Sequence, residues 1–266
     1  MTALIELDHA TKRFQNSSGG TLTAVSDISL SIPAGEFVAV VGPTGCGKST
    51  TLSLVSGLEP PSDGRVRVAG RPVQGIPDGV GYMFQADAMM PWRTVLGNVS
   101  AGPLWRKVTK GEARARAKDW IARVGLAGYE NYYLHQLSGG MRKRVALAQT
   151  MVNEPSIILM DEPFSALDVQ TRALMQNELL DRWSGTGAAV IFVTHDLEEA
   201  IALADRVVVM TARPARVKDI FTIDLPRPRN VEELRLTPEF IETYSLIWRS
   251  LSSEVETARK AGTANG

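Results

Sequence analysis

The sequence predicts an α/β fold: a parallel sheet covered by helices on both faces, an antiparallel β-lobe from the N-terminal region, and an inserted helical lobe. Three observations carry this reading. Phe37-Val38-Ala39-Val40-Val41 is a short β-branched apolar run that leads into a glycine-rich loop and then into helical apolar spacing. From 157 to 210, continuous apolar strands alternate with helical segments, the pattern of a sheet buried on both faces. Between about 94 and 153 the strand signal disappears.

Taken in order, Leu4-Ile5-Glu6-Leu7 and Ile28-Ser29-Leu30-Ser31-Ile32 alternate with period two, as half-exposed antiparallel strands do. Gln15-Asn16-Ser17-Ser18-Gly19-Gly20 between them reads as a turn or loop. After the strand at Phe37 comes a helix containing Thr51-Leu52-Ser53-Leu54-Val55, which the turn Pro60-Pro61-Ser62-Asp63-Gly64 is expected to end. A strand follows at Gly81-Tyr82-Met83-Phe84. The helical lobe, about 86–155, holds a capping box at Thr109-Lys110-Gly111-Glu112 ahead of an Ala- and Arg-rich run. Strand 157–160, helix 172–183, strand 188–193, helix 196–204 and strand 206–210 complete the core. This organisation is one unit over 1–229 with a C-terminal helical extension over 230–266. There, Thr237-Pro238 reads as an N-cap followed by a proline in the first turn. Phe240, Ile241, Tyr244, Ile247, Trp248, Leu251 and Val255 form a stripe at helical spacing, expected to dock on the chain's own core, with a dimer or regulatory contact as the other reading. The last residues, 261–266, should fray.

The loop after Phe37 is Gly42-Pro43-Thr44-Gly45-Cys46-Gly47-Lys48-Ser49-Thr50, a full G-x-x-x-x-G-K-[ST] pattern between strand and helix. Its glycines let the backbone curl so that successive N–H groups point at one anion. The helix N-terminus adds partial positive charge. Lys48 can reach the β- and γ-phosphates of a nucleotide, and the Ser49 hydroxyl is placed for Mg²⁺. Cys46, beside a helix N-terminus and Lys48, is read either as a thiolate-prone site or as a small space-filling residue.

Composition narrows the function. The chain has 266 residues, with 29 Lys plus Arg against 29 Asp plus Glu, so no global basic field argues for nucleic acid. One cysteine permits no internal disulfide, and a reducing compartment fits. The N-terminus lacks the pattern of a signal peptide, and no apolar run approaches the ~18 residues of a spanning helix. The chain reads as soluble; if it works at a membrane, another chain must hold it there.

Two further segments separate nucleotide binding from nucleotide use. Leu137-Ser138-Gly139-Gly140-Met141 precedes a helical pattern, and Ile157-Ile158-Leu159-Met160-Asp161-Glu162 is an apolar strand ending in two carboxylates. The sequence resembles the ATPase subunit of an ABC transporter. The first segment matches that family's LSGGQ signature with Met141 in place of Gln, and the second its Walker B strand. Gln85 matches the Q-loop, Ser165-Ala166-Leu167-Asp168 the D-loop and His195 the H-switch. The match runs to about Asp224 and implies a P-loop NTPase core of the ABC ATPase cassette type.

The resemblance implies roles for these residues. Lys48 and the loop from Gly42, Pro43, Thr44, Gly45, Cys46 and Gly47 to Ser49 and Thr50 hold ATP. Ser49 and Gln85 ligate Mg²⁺, with Asp161 acting directly or through water. Glu162 activates the attacking water, and His195 supports it at the γ-phosphate. Phe14 falls where the family usually stacks a Tyr on adenine; the alternative is an ordinary core Phe. Ser138, Gly139, Gly140 and Met141, with Asp168, contact ATP held by a second subunit, so a homodimer is implied. Met141 could weaken one polar contact, while those of Ser138 and Gly140 need not change.

Met89-Met90-Pro91-Trp92-Arg93-Thr94-Val95 sets soft and aromatic side chains in a connecting loop, either at an interface or at a packing corner between lobes. By resemblance it faces transmembrane permease subunits. Together with Asp224-Leu225-Pro226-Arg227-Pro228-Arg229 it is similar to the importer group for nitrate, sulfonates and taurine, which also engages a solute-binding protein indirectly. The expected place is the cytoplasmic face of the cell membrane, peripherally. The alternatives are an exporter or lipid-transport ATPase, a soluble ABC ATPase acting on ribosomes or DNA, and a small-molecule kinase; the last would not explain 137–141.

Overall fold

The computed structural model describes residues 3–15, 19–86 and 88–263. The chain runs β1 (Ala3–Gln15), β2 (Thr21–Pro33), β3 (Phe37–Val41), α1 (Lys48–Ser56), β4 (Asp63–Val68), β5 (Arg71–Pro72), β6 (Val80–Met83), α2 (Val95–Val99), α3 (Ala101–Trp105), α4 (Lys110–Arg123) and α5 (Gly139–Met151). It continues through β7 (Ile157–Asp161), α6 (Val169–Trp183), β8 (Ala189–Val193), α7 (Leu197–Leu203), β9 (Arg206–Met210), β10 (Val217–Thr222), α8 (Val231–Leu234) and α9 (Pro238–Thr263). The N-terminal lobe is an antiparallel sheet in the order β2-β1-β4-β5. The central sheet has the order β10-β9-β3-β8-β7-β6, parallel except for β10.

Parity along the central strands divides the core. Phe37, Ala39, Val41, Ile158, Met160, Val190 and Phe192 face one cluster, shared with α4 to α7 and α9. Val38, Val40, Ile157, Leu159, Val190's neighbours Ala189 and Ile191, and Val193 face the other, closed by Leu52, Leu54 and Val55 of α1 and by the N-terminal sheet. A strand whose side chains are buried on both faces must be apolar throughout, which is why these runs do not alternate.

Several details differ from expectation. The N-terminal strands are 13 residues each, much longer than their period-two segments, because register shifts at Leu7/Ala10 and Ala10/Lys12 break the alternation. Helix α1 ends at Gly57, in the left-handed conformation (φ 73°), before the Pro60 turn, and Asp63-Gly64 already belong to β4. At α4 only half of the capping box forms: Thr109 Oγ1 accepts from the Glu112 N–H at 3.3 Å, while the Glu112 carboxylate takes Arg116. Part of the expected 15–20 turn, residues 16–18, lies outside the described residues.

The tail joins the larger core through Val231, Phe240, Ile247 and Leu251. Thr237 caps α9 as expected, accepting from the Phe240 N–H. Only half of the α9 stripe docks: Ile241, Trp248 and Val255 remain 56%, 47% and 42% exposed. The helix continues to Thr263, past the point where fraying was expected, and 264–266 lie outside the described residues. The Asp224–Arg229 motif has a structural reason. Arg227 pairs with Asp205 and lies over the Trp183 ring at 4.5 Å. The Arg229 guanidinium is buried and donates to the carbonyls of Ile201, Ala202, Ala204, Ile223 and Leu225, closing the end of α7; burial draws its pKa down to about 10.

Candidate functional site

The phosphate-loop sequence joins β3 to α1. Gly45 (φ 71°) and Gly47 (φ 134°) take conformations that side chains resist, and these turn the loop back over the helix N-terminus. Lys48 is buried, and its Nζ donates to the carbonyls of Gly42 at 2.8 Å and Pro43 at 2.9 Å, spanning the loop from inside. Thr44 and Ser49 are exposed at its mouth. Cys46 departs from the thiolate reading: its side chain is 1% exposed in the core between α1 and the N-terminal sheet, and burial raises the thiol pKa above its ordinary value. It fills space.

Across the loop, β7 ends in Asp161, and Glu162 follows. Asp161 is buried; its pKa is pushed up by burial and opposed by a hydrogen bond from Ser49. Its Oδ1 has no hydrogen-bond partner among the described residues. A buried, half-satisfied carboxylate beside a serine hydroxyl fits a hard divalent cation that keeps most of its waters. The Gln85 amide is turned toward Glu162, so Ser49 and Asp161 are the pair brought together here.

Glu162 sits at φ 48°, a conformation costing a non-glycine residue on the order of 1 kcal/mol. Its N–H donates to Val193 O at 2.9 Å, and its carbonyl accepts from Ser165 Oγ at 3.0 Å. These bonds aim its side chain at the strand ends. There Oε2 accepts from Gln85 Nε2 at 3.3 Å and lies 3.3 Å from His195 Nδ1. A carboxylate flanked by an amide and an imidazole, at the C-terminal edge of a parallel sheet beside an anion loop, is suited to taking a proton from water.

Two supports were not read from the sequence. Lys143 of α5 is buried, and its Nζ donates to the Gln85 carbonyl, tying the helical lobe to the Q-loop. In sequence it belongs to the basic run Arg142-Lys143-Arg144, which looks like a solvated helix face. Glu199 of α7 is also buried. It accepts from Thr194 Oγ1 at 2.7 Å and Gln176 Nε2 at 3.0 Å, and Thr194 Oγ1 accepts from the Asp196 N–H. Arg172 joins this group to the D-loop: it donates to Leu167 O at 3.1 Å, to Asp196 at 3.4 Å, and lies 3.8 Å from Glu199. His195 is therefore carried by a braced turn.

The signature segment begins α5. Ser138 Oγ accepts from the Met141 N–H at 3.2 Å; Ser138 and Gly139 are exposed, while Met141 packs partly into the core. Gly140 lies under the D-loop, where a Cβ would meet Leu167 Cδ2 at 3.2 Å. Asp168 caps α6, accepting from the Thr171 N–H at 2.9 Å, which holds its pKa down. Phe14 is half-buried near the end of β1, with Lys12 Nζ 5.0 Å from its ring centre, and pairs with Leu22.

Of the loop 89–95, Met89 is buried but Trp92 is 73% exposed, so Trp92 is not a packing corner. Its presentation depends on Asn98, fully buried, whose amide accepts from Met90 N–H and donates to the carbonyls of Met90, Arg93 and Thr94. Nearby, a groove of about 500 Å³ is lined by Tyr82, Phe84, Met89, Trp105, Arg106 and Gln149. Among the described residues no helix is long and apolar enough to cross a membrane.

Comparison with known proteins agrees with this geometry. The chain is similar to an uncharacterised ABC transporter ATP-binding protein of Methanocaldococcus jannaschii, 46% identical over 96% of this chain and 94% of that one. It is similar to the taurine import ATP-binding protein of Rhizobium johnstonii, 38% identical over 97% of this chain and 100% of that one. A solved dimeric ATP-binding cassette in a post-hydrolysis state with ADP and Pi superposes with a TM-score of 0.76, at 28% identity over 84% of this chain and 100% of that one. The family model described as ABC transporter matches residues 25–165, and on these grounds the chain belongs to the ABC transporter family, among its ATP-hydrolysing subunits.

Proposed function

We propose that the chain powers an importer for a small anion such as nitrate, a sulfonate or taurine, or for a related small solute, as a homodimer around two Mg²⁺·ATP. Lys48 and the loop from Gly42 to Thr50 bind the phosphates. Ser49 and Asp161, with Gln85 closing in, hold Mg²⁺, which when bound draws charge from the phosphate oxygens. Glu162 takes the proton of the attacking water, and His195 fixes that carboxylate and the γ-phosphate. Ser138 to Met141 and Asp168 complete the site of the second subunit, and Phe14 offers its ring to adenine. The observation that carries the reading is Glu162 Oε2 within 3.3 Å of both Gln85 and His195, beside the anion loop. The import direction and solute class rest on the relatives named for taurine import. Exposed Trp92 and the neighbouring groove support docking to permease subunits, which would hold the chain at the cytoplasmic membrane face. A solute-binding protein would act through those subunits.

The test is purification of the tagged chain from membrane extract and reconstitution of the recovered complex. Co-purifying permease subunits, with Mg²⁺-dependent ATP hydrolysis and solute moved from the ATP-distal side to the ATP side, support it. Hydrolysis with no membrane partner, or solute moved away from the ATP side, overturns it.

A further inference from the structure

The phosphate loop has an outer brace in the turn between β9 and β10. Residues 211–216 fold back on themselves: the Thr211 N–H donates to Arg216 O, and Thr211 Oγ1 donates to Pro214 O and accepts from the Arg216 N–H. The turn is locked to β2, since the Ala215 N–H donates to Ala24 O at 3.0 Å and the Ser26 N–H to Ala215 O at 2.9 Å. It stands directly against the loop. A Cβ on Gly47 would come within 2.6 Å of Ala24 O and 2.9 Å of Ala215 Cβ, and one on Gly42 within 3.1 Å of Met210. From this wall Arg213 reaches over the loop mouth, and its Nη2 donates to Gly45 O at 2.9 Å.

The other side of the turn is tied to α9. Glu254 Oε2 accepts from the Ala212 N–H at 2.9 Å, and Glu254 pairs with Lys218 of β10 at 2.9 Å. Lys218 also donates to Ser250 O and Ser253 Oγ. Two hydrogen bonds joined through the backbone of Ala212-Arg213 therefore link Glu254 of α9 to Gly45.

We infer that Arg213 is a positioning residue for nucleotide binding, and that α9, through Glu254, sets its position. A peptide unit is planar, so fixing the Gly45 carbonyl also fixes the Cys46 N–H on its far side, which donates to Pro43 O at 3.3 Å and closes the turn of the loop. Gly45 has no Cβ and moves readily between backbone wells; a loop that must be ordered before it grips an anion binds it more weakly. Lys48 holds the inner side of the loop at Gly42 and Pro43; Arg213 holds the outer side. This gives the C-terminal extension a function, stiffening the ATP site. The inference rests on the family's nucleotide binding at this loop.

The test titrates the full-length chain with a non-hydrolysable ATP analogue and Mg²⁺. Arg213→Ala should weaken binding roughly tenfold, the order for a lost hydrogen bond to a charged donor. Its hydrolysis should show the loss in KM for ATP rather than in kcat. Glu254→Ala should weaken binding in the same direction by less, and the double variant should bind like Arg213→Ala alone, because both act through one contact. Unchanged affinity in Arg213→Ala overturns the inference. So do losses that multiply in the double variant, or a Glu254→Ala chain that melts earlier yet binds like the parent. A parent chain that does not bind the analogue overturns instead the nucleotide-binding reading itself.

Discussion

His195 Nδ1 lies 3.3 Å from Glu162 Oε2, although the two residues stand at the ends of different strands. The contact exists because β7 and β8 are adjacent and in register, Asp161 opposite Val193, and because Glu162 takes a left-handed conformation that turns its side chain toward the neighbouring strand. The Thr194–Glu199 hydrogen bond then fixes the turn on which His195 is carried. Sheet register, one strained backbone position and one buried carboxylate together set the spacing of the site.

The first prediction follows from that spacing. Glu162→Gln keeps the shape and the contact with Gln85 but removes the base. Hydrolysis should fall at least about a hundredfold, the usual contribution of a general base. ATP binding should survive, and a closed dimer should accumulate on size exclusion with ATP. Near-normal turnover in a clean preparation removes Glu162 from the catalytic role.

Trp92 supplies the second. It is 73% exposed on a loop held from below by Asn98. Trp92→Ala should leave the melting temperature and ATP affinity of the isolated subunit unchanged, because no cavity forms. It should weaken assembly with the permease by ~2 kcal/mol or more, the loss typical of an aromatic anchor. Reduced thermal stability with unchanged assembly per folded subunit rejects the docking role.

The central sheet was legible in the sequence because strands buried on both faces must be continuously apolar, and the loop was legible because anion binding demands glycines, Lys and Ser at fixed spacing. The N-terminal strands were only partly legible: their register shifts mix the two faces, so period two persists only in fragments. Strand β10 went unread, since Val217-Lys218-Asp219-Ile220-Phe221-Thr222 is polar enough to pass for a loop and pairs on one side only. Lys143, Glu199 and Arg172 were hidden for another reason. On a helix, a charged residue that will be buried against a loop carbonyl or a threonine looks the same as one left in water; only the tertiary packing tells them apart.

Cys46 gives the third prediction. Local sequence, a helix N-terminus and a lysine, favours the thiolate, but burial wins and raises the thiol pKa. At neutral pH the native chain therefore carries less thiolate than an ordinary cysteine. Maleimide should label native Cys46 at least about tenfold more slowly than the urea-unfolded chain, because reaction must wait for local opening. Labelling should speed up as pH rises above the ordinary thiol range. Equal rates in the native and unfolded chain contradict the buried placement.

The last prediction concerns Glu199, whose folded-state pKa is raised from 4.5, first by burial, against the hydrogen bond from Thr194. A carboxyl with a raised folded pKa binds its proton more tightly folded than unfolded. Its contribution is thus most favourable below the unfolded pKa and is lost as pH climbs from there through the folded value. Glu199→Gln cannot titrate, so the melting temperature of the parent minus that of the variant should fall as pH rises above 4.5. For a chain of this size each kcal/mol corresponds to about 2–4 °C, within reach of calorimetry. The same variant should slow hydrolysis without abolishing it, because it leaves Glu162 and His195 in place and loosens only the turn that carries His195. A difference that grows with pH would mean that Arg172, 3.8 Å away, outweighs burial and holds Glu199 ionised in the fold.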